Sequence, residues 1–144
     1  MTLNNLIDLL QKYAVGHQQI NDFGYGNISG IGAKGRDQVY PLMWVVLNPS
    51  RYQGKEMNYS LQIVFADLIY EDGKNELEVW SDQQSIALDT VSYLTDNPEF
   101  EFTTDGTANI DYFTEHDGDL TAGVVLSITI KDPNPLNRCV IPKD

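Results

Sequence analysis

The sequence predicts an α+β domain, a mostly antiparallel β-sheet with two α-helices packed on one face, in the order α-β-β-α-β-β-β. Three observations predict it. Two segments, near 3–17 and 76–96, repeat apolar residues at helical spacing. Residues 120–131 alternate between two faces with strict period two over 12 residues. Turn-forming clusters at Asn48-Pro49-Ser50, Glu71-Asp72-Gly73-Lys74 and His116-Asp117-Gly118-Asp119 punctuate the apolar runs. The length, 144 residues, suits a single domain, placed here at 1–131, followed by an extended proline-rich arm at 132–144.

The first helix is expected to bury Leu3, Leu6, Ile7, Leu10, Tyr13, Ala14 and His17, with Thr2 or Asn4 as cap and Gly16 as a stop. Residues 22–38 hold Gly24, Gly26, Gly30, Gly32 and Gly35 and read as a loop or a weak extended ribbon. Such a stretch exceeds an ordinary connector, which suggests a role beyond joining. Val39 to Leu47 is a strand beginning near Pro41, and residues 50–58 follow as a polar loop. Tyr59 to Tyr70 is apolar on both faces apart from Asp67, as a central strand would be. The second helix runs from Asn75 or Glu76 to Asp96 with an expected buried stripe of Leu77, Trp80, Gln84, Ala87, Leu88, Val91 and Leu94. Glu76 and Glu78 suit its N-terminal end, and Pro98 stops it. Three further strands are expected at Phe100–Phe102, Asn109–Thr114 and Leu120–Lys131. Pro133, Pro135 and Pro142 keep the last segment out of any helix or central strand, while Leu136, Val140 and Ile141 supply it with apolar anchors.

Charge is unevenly distributed. The net charge is −12, and residues 1–72 hold 7 acids and 5 bases whereas 73–144 hold 14 acids and 4 bases. Between Glu71 and Asp119 the only base is Lys74. Such a field repels phosphates and argues against affinity for nucleic acid. It suits solubility, and it equally suits a surface past which DNA slides without sticking. No apolar run reaches the length of a membrane span, and the first residues carry no basic region of a signal peptide.

Motifs of chemistry are sparse. Gly30-Ile31-Gly32-Ala33-Lys34-Gly35 matches a dinucleotide fingerprint in spacing, but no strand precedes it and Tyr40-Pro41 follows, so no cofactor is expected. Gly54-Lys55 and Gly73-Lys74 lack the rest of a phosphate loop. Glu115 to Asp119 does not fit the twelve-residue calcium loop and reads as an acidic hairpin turn, so no metal is expected. His17 lies on the apolar face of its helix and reads as a satisfied boundary residue. Cys139, the single cysteine, cannot form an internal disulfide and is assigned to packing of the arm. Asn27-Ile28-Ser29 and Asn58-Tyr59-Ser60 match glycosylation acceptors, with no route to a secretory compartment in view. No constellation meets the demands of catalysis, so no enzyme is expected.

The segment order together with "YPLMWVV", the "DLIYEDGKNE" turn into the second helix and the closing strand with its "NRCVIP" tail resembles the tail-terminator and neck-ring (tail completion) proteins of tailed bacteriophages. The resemblance is to those of crAss-like phages of Bacteroidetes in particular, and it spans nearly the whole chain. It implies a structural virion protein without catalytic residues, assembled in the host cytoplasm. It forms a homo-oligomeric ring, a hexamer or dodecamer, at the head–tail or neck junction, with DNA passing through the lumen unbound. The implied partners are neighbouring neck, portal-side or tail-tube proteins, with no membrane. The implied subunit contacts are the glycine-rich loop, through Gly30, Gly32 and Gly35, and the arm, through Pro133, Leu136, Val140 and Ile141. The arm with Cys139 is not a general feature of tail terminators. The rival expectation is a small acidic binding protein, a DNA mimic that inhibits a host nucleic-acid enzyme.

Overall fold

A computed structural model of the chain describes residues 3–27, 39–70, 72–95, 102–104, 107–115 and 120–133. Along them run α1 (Leu3–Gly16), β1 (Asp22–Tyr25), β2 (Leu42–Leu47), β3 (Arg51–Gln53), β4 (Glu56–Leu68), α2 (Glu76–Thr95), β5 (Ala108–Glu115) and β6 (Thr121–Asp132). The fold is α+β, a mixed but mostly antiparallel sheet with two helices. The strand order is β1-β2-β4-β6-β5, with β3 pairing β4 off this path. β1 and β2 are parallel, and every other pair is antiparallel.

The sheet is built around its two longest strands. β4 and β6 pair continuously from Met57↔Asp132 to Leu68↔Thr121. β4 is apolar on both faces because it lies between β2 and β6 and both of its faces are buried over Ile63–Ala66. One set of alternate residues, Met43 and Val45 of β2, Leu61, Ile63 and Phe65 of β4, and Val124, Leu126, Ile128 and Ile130 of β6, forms the main core. Leu6, Ile7, Leu10 and Ala14 of α1 and Ile86, Ala87 and Leu94 of α2 join the same cluster. The alternate positions Leu42, Trp44, Val64 and Ala66 form a second cluster with Tyr40, Val46, Phe113 and Val125. Towards the Leu68↔Thr121 end of the β4–β6 seam the backbones approach so closely that only glycine fits: a Cβ on Gly123 would stand 1.8 Å from the Phe65 carbonyl oxygen.

Several expectations are corrected. The observed order is α-β-β-β-β-α-β-β, with two short strands where loops were expected. β1 begins the glycine-rich segment, and its Gly24 lets the Trp44 indole pack directly against the backbone, where a Cβ would meet the ring at 2.2 Å. The polar stretch 50–58 is β3, a tight turn and the start of β4, with register Arg51↔Asn58 to Gln53↔Glu56. Gly54 and Lys55 both have positive φ, 62° and 68°, the signature of a two-residue I′ hairpin. That turn went unread because Lys55 is not a usual residue for this conformation.

Near Phe102 there is no strand among the described residues. A single bridge, Thr103↔Lys131, is present instead, and Phe102 is buried edge-on against Tyr59 at 6.4 Å. Asp132, expected as the first residue of the arm, belongs to β6 and is buried. The stripe expected for α2 is also rotated. Its buried residues are Val79, Gln83, Ile86, Ala87, Thr90 and Leu94, whereas Leu77 is 75% and Leu88 50% exposed. Two polar residues, Gln83 and Thr90, occupy the inner face, so hydrophobicity alone pointed to the neighbouring face.

Candidate interaction surface

Six of the residues implied as subunit contacts, Gly30, Gly32, Gly35, Leu136, Val140 and Ile141, lie outside the described residues, as do His116 and Cys139. Pro133 is described, and it is exposed directly after β6. The structure thus places only Pro133 among these positions. It draws attention to a surface the sequence reading missed, where α2 overhangs β5 at one end of the sheet.

On α2, Leu77, Trp80, Gln84 and Leu88 follow at intervals of three and four and share a face. β5 adds Tyr112, which is 54% exposed. The Tyr112 ring packs against Trp80 with centroids 5.8 Å apart, and its hydroxyl donates to Gln84 Oε1. Trp80 Nε1 donates to the Phe113 carbonyl at 2.9 Å, and Thr114 Oγ1 donates to Glu76 Oε2 at 2.8 Å. These bonds tie helix to edge strand, each contributing about 1 kcal/mol. The charge here has one sign: α2 carries Glu76, Glu78, Asp82 and Asp89, β5 carries Asp111 and Glu115, and neither element has a lysine or arginine. The signal in the sequence was the second apolar stripe itself, visible once the first is assigned to the core.

The seam between α1 and α2 holds the few polar groups with chemical potential. The Gln19 amide donates to His17 Nδ1 at 3.1 Å, which leaves the proton on Nε2 to reach Asp89 Oδ2 at 3.2 Å. Tyr13 packs on Tyr93 at 4.5 Å and on His17 at 5.7 Å, and its hydroxyl shares a 3.2 Å hydrogen bond with Thr90 Oγ1. Burial pushes the Tyr13 hydroxyl above its ordinary pKa, with Thr90 opposing and Asp89 and Tyr93 adding smaller increments. Thr90 also donates back to the Ile86 carbonyl at 3.0 Å, so it satisfies itself within the helix while meeting α1. His17 thus sits as a boundary residue joining two helices.

Two open recesses lie along α1, away from this seam. One, of about 200 Å³, is lined by Gln11, Ala14, Val15, Ile20 and Phe23 among others, and one of about 300 Å³ by Asp8, Gln11, Lys12 and Val15. Neither gathers a nucleophile with a base. Among the described residues no group of three or more His, Cys, Asp or Glu side chains is placed to hold a metal ion. No described helix is long and apolar enough to cross a membrane. No protein-family model matches the chain, and no curated protein matches it.

Proposed function

We propose that the chain is a structural virion protein, a tail-terminator-like subunit of a homo-oligomeric ring at a phage head–tail or neck junction. DNA passes through the lumen of that ring. The observation that carries the reading is the pair of sheet edges, β1 and β5, each paired on one side only among the described residues. β1 and β5 stand at opposite ends of the strand order, and each has large apolar side chains exposed beside it: Tyr25 and Val39 near β1, Leu77, Leu88 and Tyr112 near β5. Two different apolar patches at opposite ends of one subunit suit a head-to-tail contact, and head-to-tail contacts close into rings when the rotation allows. The reading takes both helices to one face of the sheet, so that both edges remain open to neighbours. The surplus of acids gives a ring a lumen that repels phosphates and lets a genome slide. Neighbouring neck, portal-side or tail-tube proteins would stack on the ring faces.

Native mass spectrometry of the purified chain and protein mass spectrometry of mature particles test this. The expected result is a closed hexamer or dodecamer and a fixed copy number per particle. Absence of the chain from mature particles refutes it. One observation favours the rival reading of a DNA mimic: six acids and no base on α2 and β5. Affinity capture from host lysate that returns a single nucleic-acid enzyme decides for mimicry.

A further inference from the structure

We infer that the surface formed by α2 and β5 receives the C-terminal arm, residues 134–144, of a second copy of this chain, which adds to β5 as an edge strand beneath Leu77, Trp80 and Leu88. The inference rests on the ring reading above and names the contact that would join its subunits.

β5 pairs with β6 and with no other strand among the described residues, so one row of its backbone groups faces away from the sheet. A strand laid there continues the sheet by main-chain hydrogen bonds, and its inward side chains meet whatever overhangs the edge. What overhangs is the exposed apolar stripe of α2, extended by Tyr112. The arm has the matching chemistry. Leu136 and Val140 fall on one face of an extended chain, about 13 Å apart at strand rise. Trp80 and Leu88 are separated along α2 by about 12 Å at helical rise. Pro135 and Pro142 bracket the segment between them, and proline is tolerated on an edge strand because one side makes no ladder bonds. Charge agrees as well. The arm carries Arg138 and Lys143 against Asp144 alone, and the receiving elements carry six acids and no base.

The donor is a neighbour for a topological reason. Lys131 pairs with Asn58 of β4 on one side of β6 and with Thr103 on the other, so Thr103 continues the line of β5 beyond Ala108. To reach the outer edge of its own β5, the chain after Pro133 has to pass over or around that Thr103 backbone. Eleven residues extended span up to about 40 Å, enough to reach an adjacent subunit.

In an extended chain Cys139 points to the face opposite Leu136 and Val140, so the test removes it as Cys139→Ser and places the thiol on the inward face as Val140→Cys. Leu88→Cys places a second thiol on the receiving stripe, and Val15→Cys places one on the exposed side of α1 as a comparison. Both variants are oxidised mildly as full-length protein, read on non-reducing gels and mapped by peptide mass, beside native mass spectrometry of the unmodified chain. The expected result is interchain disulfides between the thiol introduced at Val140 and the thiol introduced at Leu88, formed at least about tenfold faster than with Val15→Cys, because docking raises the effective concentration of the thiols. Adding Leu136→Asp is expected to abolish the crosslink while leaving the far-ultraviolet circular dichroism unchanged. A closed ring in which both positions crosslink equally overturns the arm assignment and leaves the ring intact. A crosslink mapping within one chain overturns the exchange between copies. Interchain crosslinking at Leu88 in a chain that is absent from virions upholds the docking and removes the ring reading instead.

Discussion

Replacing Gly123 with alanine puts a methyl group 1.8 Å from the Phe65 carbonyl oxygen, 2.9 Å from its carbon and 3.0 Å from the Ala66 Cα. All three are backbone atoms, so no side chain can rotate away. Carbon–oxygen contacts between adjacent strands settle at about 3.3–3.6 Å, which requires the two strands to part locally by about 1.5 Å. The parting falls inside the longest ladder of the sheet, flanked by Phe65↔Val124 and Asp67↔Ala122, with Phe65 and Val124 fully buried on the core side. Overpacking of this kind costs about 1–3 kcal/mol, and weakening one or two ladder hydrogen bonds adds about 1 kcal/mol each, giving about 2–5 kcal/mol. For a domain of this size that lowers Tm by about 10 °C. Urea unfolding followed by circular dichroism measures it, with Gly16→Ala as a comparison. Gly16 ends α1 with nothing within 4 Å of a built Cβ, so alanine there changes stability by no more than about 1 kcal/mol. If Gly123→Ala unfolds within about 1 kcal/mol of the parent, the close-approach argument is refuted.

Phe65→Ala removes the largest fully buried side chain of the core and is expected to cost about 3–5 kcal/mol in the same urea assay. Trp80→Phe keeps the ring contact with Tyr112 but loses the bond to the Phe113 carbonyl, for about 1 kcal/mol. Its clearest readout is faster amide exchange at the β5 edge. Burial holds the Tyr13 hydroxyl above the ordinary value of 10.0, so its contribution is complete below that pH and is lost as pH rises through the folded value. Tyr13→Phe is therefore expected to flatten the alkaline decline in unfolding free energy measured from about pH 8 to about pH 11. Asp89→Asn is expected to cost less than about 1 kcal/mol, because the carboxylate facing His17 is 60% exposed.

The strongly periodic elements were legible from residues alone. Leu120 to Lys131 alternates without interruption, and β6 buries one alternating set of it, Ala122, Val124, Leu126, Ile128 and Ile130. Leu6, Ile7, Leu10 and Ala14 fall a helical turn apart, and α1 buries those four. What escaped were elements whose cause lies elsewhere in the fold. Asp22–Tyr25 has no strand pattern of its own, and it pairs because β2 offers an edge and Trp44 packs on Gly24. Arg51–Gln53 is exposed at every position, so it carries no hydrophobic signal, and a backbone turn at Gly54 and Lys55 folds it onto β4. The receiving surface of α2 was hidden for the opposite reason. Its apolar residues were visible but were assigned to the core, since nothing in a linear pattern reveals that Gln83 and Thr90 are the ones turned inward.

The sequence by itself determined the fold class, the two helices, the central and closing strands, and the concentration of acids in the second half. These follow from period, turn chemistry and composition, which are properties of neighbours along the chain. Only the tertiary structure decided which face of α2 is covered, that β1 lies parallel to β2, that β4 lies between β2 and β6, and that β5 is left at an edge beneath an exposed apolar stripe. Those outcomes depend on contacts between residues far apart in the chain, where backbone clearance and the packing of whole elements outweigh the preference of any single segment.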